Sequence, residues 1–196
     1  MYLEQKRLDA LFKVANIGFS KAGAALSTLL QKNITLRVPE IKTVPFEHII
    51  KDFEEKGTVQ VVIFLRIEGE APGKMALFFP LESAEYIVRA LYVHNAPIDL
   101  YNDEMAQSAL KEVGNIMVSS FLAALSDHAG ISLLPSIPAI AIDLAGAIMD
   151  AILIEEGVLE DEVLLISTLI SGSTSVQGQL VFFPNVGSIE KLFGSL

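Results

Sequence analysis

The sequence predicts an α/β (α+β) fold built from two similar halves about a pseudo-twofold axis, and three observations carry that prediction. Sliding the chain by 99 positions lays Asp9 to Ser27 over Ser108 to Ser126 with ten of 19 residues identical. Both copies lack proline, are rich in Ala and Leu and repeat apolar residues at helical spacing, so each is expected to form a long amphipathic helix. Phe78-Phe79-Pro80 returns as Phe182-Phe183-Pro184, each time followed by a helical pattern.

The elements follow in order. After the first helix, extended segments are expected near 34–46, 58–68 and 74–80. Val59, Val61, Ile63, Leu65 and Ile67 alternate with Gln60, Val62, Phe64, Arg66 and Glu68, the period of two expected when a strand buries one face more than the other. Lys56-Gly57 and Ala71-Pro72-Gly73 punctuate these strands as turns. A helix from Leu81 to Tyr92 closes the first half, residues 1–97, and His94-Asn95-Ala96-Pro97 links it to the second, residues 98–196. Strands are expected there near 131–142, 151–156, 162–171 and 177–183, with a terminal helix near 186–194. Asp143 is expected to cap a brief helix, Leu144 to Met149, which the first half lacks. The two halves share one compact unit, since 196 residues suit a single domain.

Composition narrows the function. The chain is 52% hydrophobic and 19% charged, too apolar for disorder, and suggests a generous core or an apolar surface kept for a partner. A net charge of -10 without a Lys/Arg cluster argues against nucleic acid and anionic membranes as partners. With no Cys, thiol catalysis, disulfides and thiolate metal sites are excluded, and a reducing cytoplasm is the expected compartment. His48, His94 and His128 lack ligand spacing, so no metal is assigned. Charges at the N-terminus exclude a secretory signal. The most membrane-like stretch, Ala139 to Ile154, is 16 residues long and contains Asp143 and Asp150. Each would cost about 2.5 to 3.5 kcal/mol at a bilayer centre, so the stretch reads as buried core.

The chemistry concentrates on the second helix. With Ser108 at zero on a wheel of ~100 degrees per residue, Glu112 falls near 40 degrees and Asn115 near 340, one narrow polar stripe. Leu110, Val113, Met117, Phe121, Ala124 and Leu125 fall between about 140 and 260 degrees and should bury against a sheet. Met105, Ile116, Leu122 and Ala123 flank the stripe with little bulky charge, as a contact surface would. In the first helix the matching stripe is Asp9, Lys13 and Asn16, opposite Leu8, Leu11, Val14, Ala22, Leu26 and Leu29. Asn is a mediocre helix former, so one at the same place in both copies asks for a reason beyond helix formation. A solvated polar face, or a structural Asn with satisfied hydrogen bonds, is the plainer alternative.

The pattern Asp or Ser, three residues, Glu, two residues, Asn, in both long helices of a duplicated chain, is similar to that of the CheC, CheX and FliY phosphatases of chemotaxis. Ser108-Ala-Leu-Lys-Glu112-Val-Gly-Asn115 matches it in full. The length suits CheC better than the shorter CheX, and no flagellar-switch module follows as in FliY. The resemblance implies a mostly antiparallel sheet with the two long helices packed on it. It implies dephosphorylation of a phosphorylated CheY-like response regulator: Asn115 positions a water in line with the aspartyl phosphate, and Glu112 pairs with the regulator's active-site lysine. A carboxamide cannot act as a base near neutral pH, but it can donate one hydrogen bond and accept another. Ser108 is expected to support the site through a hydrogen bond, since no base lies within helical reach of it. No cofactor is expected on this chain, Mg2+ belonging to the partner regulator. The deamidase CheD is a second partner of some family members.

The first copy departs from the motif at Lys13, so Asp9, Lys13 and Asn16 form a degenerate site. Two positive charges ~4 Å apart repel by roughly 1 kcal/mol in water and about 4 at an effective dielectric of 20, so Lys13 should oppose a docking lysine. Lys13→Glu is on that basis expected to raise activity or affinity. The competing reading is a non-catalytic binding module that sequesters phosphorylated CheY or binds CheD.

Overall fold

The computed structural model describes residues 5–91, 98–154, 162–171 and 175–194. In chain order the elements are α1 (Gln5–Leu30), β1 (Thr35–Pro45), α2 (Phe46–Lys56), β2 (Val59–Gly69), β3 (Gly73–Pro80) and α3 (Leu81–Leu91). They continue as α4 (Glu104–Ala129), β4 (Leu133–Pro135), β5 (Ala139–Leu144), α5 (Ala145–Ile154), β6 (Glu162–Ser171), β7 (Ser175–Pro184) and α6 (Ser188–Phe193). All strand pairings are antiparallel, in a seven-stranded sheet of order β1-β6-β7-β3-β2-β4, with β5 also on β2.

That order places the outer strand of each half on the hairpin of the other. β1 runs along β6, from Thr35 opposite Ser171 to Pro45 opposite Glu162, and β5 runs along β2, from Val59 opposite Leu144 to Phe64 opposite Ala139. The two hairpins meet where β3 pairs with β7, Met75 opposite Phe182 and Leu77 opposite Leu180. Both outer strands break at the same relative place. The β1 register shifts between Arg37 and Glu40, and 99 residues further on β4 ends at Pro135 and β5 begins at Ala139.

Alternation along the strands gives the sheet two buried faces. Val61, Ile63, Leu65, Met75, Leu77, Phe79, Leu180 and Phe182 pack with α1 and α4 in the larger core. Val62, Ala76, Phe78, Val181 and Phe183 point the other way and pack with Ile49 of α2 and Ala145, Ile148 and Met149 of α5. Each fully buried Phe or Leu contributes roughly 1.5 to 3 kcal/mol. α1 and α4 cross in close contact, with Phe19 and Phe121 ring centroids 6.0 Å apart.

Several sequence expectations need correction. Residues 151–154 are helical, not extended, and 155–156 lie outside the described residues, as does the linker 94–97. The brief helix expected over 144–149 runs from Ala145 to Ile154, and the first half has its counterpart in α2, 99 residues earlier. α5 is apolar nearly throughout, so its sequence carries no period; Ala145, Ile148 and Met149, spaced i, i+3 and i+4, are the buried side. Asp143 is not a helix cap but a β5 residue opposite Gln60, and its carboxylate accepts from the neighbouring Leu144 N–H at 2.7 Å. The extended stretch expected over 131–142 is divided between β4 and β5. Leu29, expected on the buried face of α1, is 49% exposed, and in that last turn it is Leu30 that packs against the core.

Candidate functional site

α4 is fixed at both ends. Asp103 caps its start, accepting from Met105 N at 3.0 Å and Ala106 N at 3.1 Å, a bond set worth about 1 kcal/mol. The preceding turn is tied by Asp99. The Asn102 side chain donates to it at 2.8 Å and, with the backbone N–H groups of Tyr101 and Asn102, holds its carboxyl below the usual carboxylate range against the desolvation that raises it. Gln107 reaches back to the carbonyls of Leu100 and Tyr101 at 2.9 and 3.1 Å. Gly130 closes the helix with φ 67, its N–H on the Ser126 carbonyl, a left-handed conformation that glycine adopts without strain.

Between these ends the buried side of α4 is Ala106, Leu110, Val113, Gly114, Met117, Val118, Phe121, Leu122, Ala124, Leu125 and Ala129. Gly114 lets the helix lie flat on the sheet: a Cβ there would stand 2.6 Å from Ile63 Cγ2. The three motif residues therefore face away from the sheet. Ser108 and Glu112 are exposed and Asn115 is half-buried. Of the residues expected to flank them, Met105 is 65% exposed, Ala123 is exposed and Ile116 is half-buried, but Leu122 is buried in the core and belongs to the other face.

Asn115 accepts from the Ser119 hydroxyl at 3.3 Å, and its Nδ2 meets no protein acceptor among the described residues. Asn16, at the corresponding place in α1, is bonded very differently. Its Nδ2 donates to the Phe12 carbonyl at 3.0 Å and to the Val38 carbonyl at 3.4 Å, while its Oδ1 accepts from Val38 N at 3.2 Å. Asp9 is exposed and accepts from Gln5 at 3.0 Å, and Lys13 is exposed. The sequence marked both asparagines but carried no sign that one would be engaged by a strand 22 residues away. The partners of the two stripes are thus unlike, although the residues around them are alike.

Among the described residues no three His, Asp or Glu side chains gather as metal ligands. A groove of about 510 Å³ lined by Gln60, Phe78, Ser167, Leu169, Gln177 and Gln179 lies elsewhere. Gln60 shares its side of β2 with Val62, so the groove opens on the α2 and α5 face and not beside α4.

Two long helices on an antiparallel sheet are the architecture that the resemblance to CheC-like proteins implies. The CheC-like family profile matches residues 105–142. The CheY-P phosphatase CheC of Bacillus subtilis (strain 168) is 32% identical over 200 residues, covering 99% of this chain and 95% of that protein. The chain belongs to the CheC-like family. Among solved structures, Thermotoga maritima FliY superposes with a TM-score of 0.78 at 19% identity, covering 100% of this chain and 98% of that one. The FliM middle domain of H. pylori superposes with a TM-score of 0.72 at 10% identity, covering 99% and 100%. These two likenesses concern the fold alone.

Proposed function

We propose that the chain dephosphorylates the aspartyl phosphate of a CheY-like response regulator, with Asn115 orienting the attacking water, Glu112 gripping the regulator and Ser108 supporting the contact. The relative named a CheY-P phosphatase supports the substrate class. The observation that carries the residue assignment is the state of Asn115: a half-buried carboxamide on an outward helix face, with Nδ2 unengaged among the described residues.

The chemistry needs little from this chain. Hydrolysis forms a bond from water oxygen to phosphorus and breaks the bond from phosphorus to the aspartyl oxygen, which leaves as carboxylate, while the water's proton passes to the inorganic phosphate released. Asn115 Oδ1 has two lone pairs; Ser119 occupies one and the second can accept from water, while Nδ2 donates toward the phosphoryl oxygens. Its contribution is orientation, as with the glutamine of GTPases. Glu112 is exposed one turn earlier on the same side, and its role in this reading is to pair with a cationic side chain of the docked regulator. Mg2+ is assigned to the regulator. On this reading the chain is one domain of two repeats, 1–97 with the degenerate Asp9, Lys13 and Asn16 site and 98–196 with the intact one.

The test is phosphate release from a phosphorylated regulator. Asn115→Ala is expected to lose about a hundredfold in rate, the scale of a positioning group removed, whereas Asn16→Ala keeps most of it. Equal losses in the two variants contradict the proposal.

A further inference from the structure

The ten matching residues of the two long helices include Asn16 with Asn115 and Ser20 with Ser119, so each copy has an Asn followed four residues later by a Ser. Residues four apart on a helix are neighbours, and either serine is within reach of its asparagine. Only the second pair is bonded: Ser119 Oγ donates to Asn115 Oδ1 at 3.3 Å, while Asn16 is turned onto Val38.

The cause lies in the outer strands. At the 99-residue offset Val38 corresponds to Ile137. Val38 is 2% exposed and gives both its N–H and its carbonyl to Asn16, whereas Ile137 is 91% exposed. Ile137 lies in the break between β4 and β5, and Ser136 pins that break to β2. Ser136 N donates to the Arg66 carbonyl at 2.8 Å, its Oγ accepts from Arg66 N at 2.9 Å, and Oγ donates to the Ile137 carbonyl at 3.2 Å. With Ser136 N and the Ile137 carbonyl bonded there, no bond joins Ile137 to Asn115 as Val38 is joined to Asn16.

We infer that Ser119 is a positioning residue that presents the Asn115 carboxamide for reaction, and that in the first copy the backbone of Val38 takes Asn16 out of service. This rests on the phosphatase reading above. A side-chain amide rotates about its last torsion at little cost, so an isolated Asn115 would spread its donor and acceptor over many directions. One bond to Oδ1 fixes which edge is acceptor and which is donor. In the first copy both polar ends are consumed, so the missing Glu at Lys13 is not the only defect, and Lys13→Glu gains nothing alone.

The experiment compares the full chain with Asn115→Ala, Ser119→Ala, Ser119→Thr and Lys13→Glu in steady-state dephosphorylation of a CheY-like regulator, with thermal melting of each. Ser119→Ala is expected to lower kcat about tenfold with KM within about twofold, the pattern of lost orientation, and Ser119→Thr, which keeps the hydroxyl, restores it. Lys13→Glu leaves the rate as it was. A Ser119→Ala enzyme with undiminished kcat, a failure of Thr to rescue, or a gain from Lys13→Glu overturns the inference while an active wild type and a dead Asn115→Ala uphold the reading beneath it. An inactive wild type overturns both.

Discussion

Gly18 of α1 lies against the backbone of Phe121 of α4: a Cβ built on Gly18 would stand 2.8 Å from Phe121 Cα. The two long helices meet there without an intervening side chain, and the stripe of α4 owes its position partly to that closeness. Because the obstacle is main chain, neither helix can yield locally.

Gly18→Ala is therefore expected to destabilise the protein. Overpacking of this kind costs about 1 to 3 kcal/mol, which exceeds the gain of up to about 1 kcal/mol from replacing a helical glycine by alanine. Urea unfolding checks the sign; a more stable variant would mean that the crossing is looser than 2.8 Å implies.

Gly114 precedes Asn115 and packs on Ile63, so Gly114→Val should lift α4 from the sheet next to the Asn115 carboxamide. On the proposed function, the expected result is a fall of about tenfold or more in the dephosphorylation rate with the helix content of circular dichroism retained, since small misplacements of positioning groups are costly. Ile63→Ala combined with Gly114→Val should recover part of the loss by making room.

Glu112 is exposed, and among the described residues no bond to its carboxylate would have to be broken for docking. If it grips a lysine, Glu112→Gln removes a charge-assisted bond worth roughly 1.5 to 3 kcal/mol and raises KM by about tenfold or more, with little change in melting temperature. Raising salt should weaken wild-type docking more than that of the variant, because only the former relies on the pair. An unchanged KM would remove Glu112 from the interface.

The long helices, their buried faces and most strands were legible because burial on one side imposes a period, and the period survives in Leu110, Val113, Met117 and Phe121. Of α5 only the start was, as the brief helix expected over Leu144 to Met149, because Ala145 to Ile154 is apolar on nearly every side and no period marks its end. α2 was missed for a related reason: Phe46 follows Pro45 at the end of a strand, and the change of period falls within a few residues. At the site, the sequence singled out Asn16 and Asn115 as a pair. Their divergence was hidden because it depends on whether a backbone 22 residues distant comes into reach, and that is a property of the assembled sheet.

The exchange of outer strands, β1 onto β6 and β5 onto β2, has a consequence for how this chain can be divided. Severing the polypeptide between α3 and α4 would yield fragments that must find one another to complete their ladders, and neither would be a free-standing module. A variant that breaks either exchanged ladder is therefore felt in both halves, because the two share one fabric.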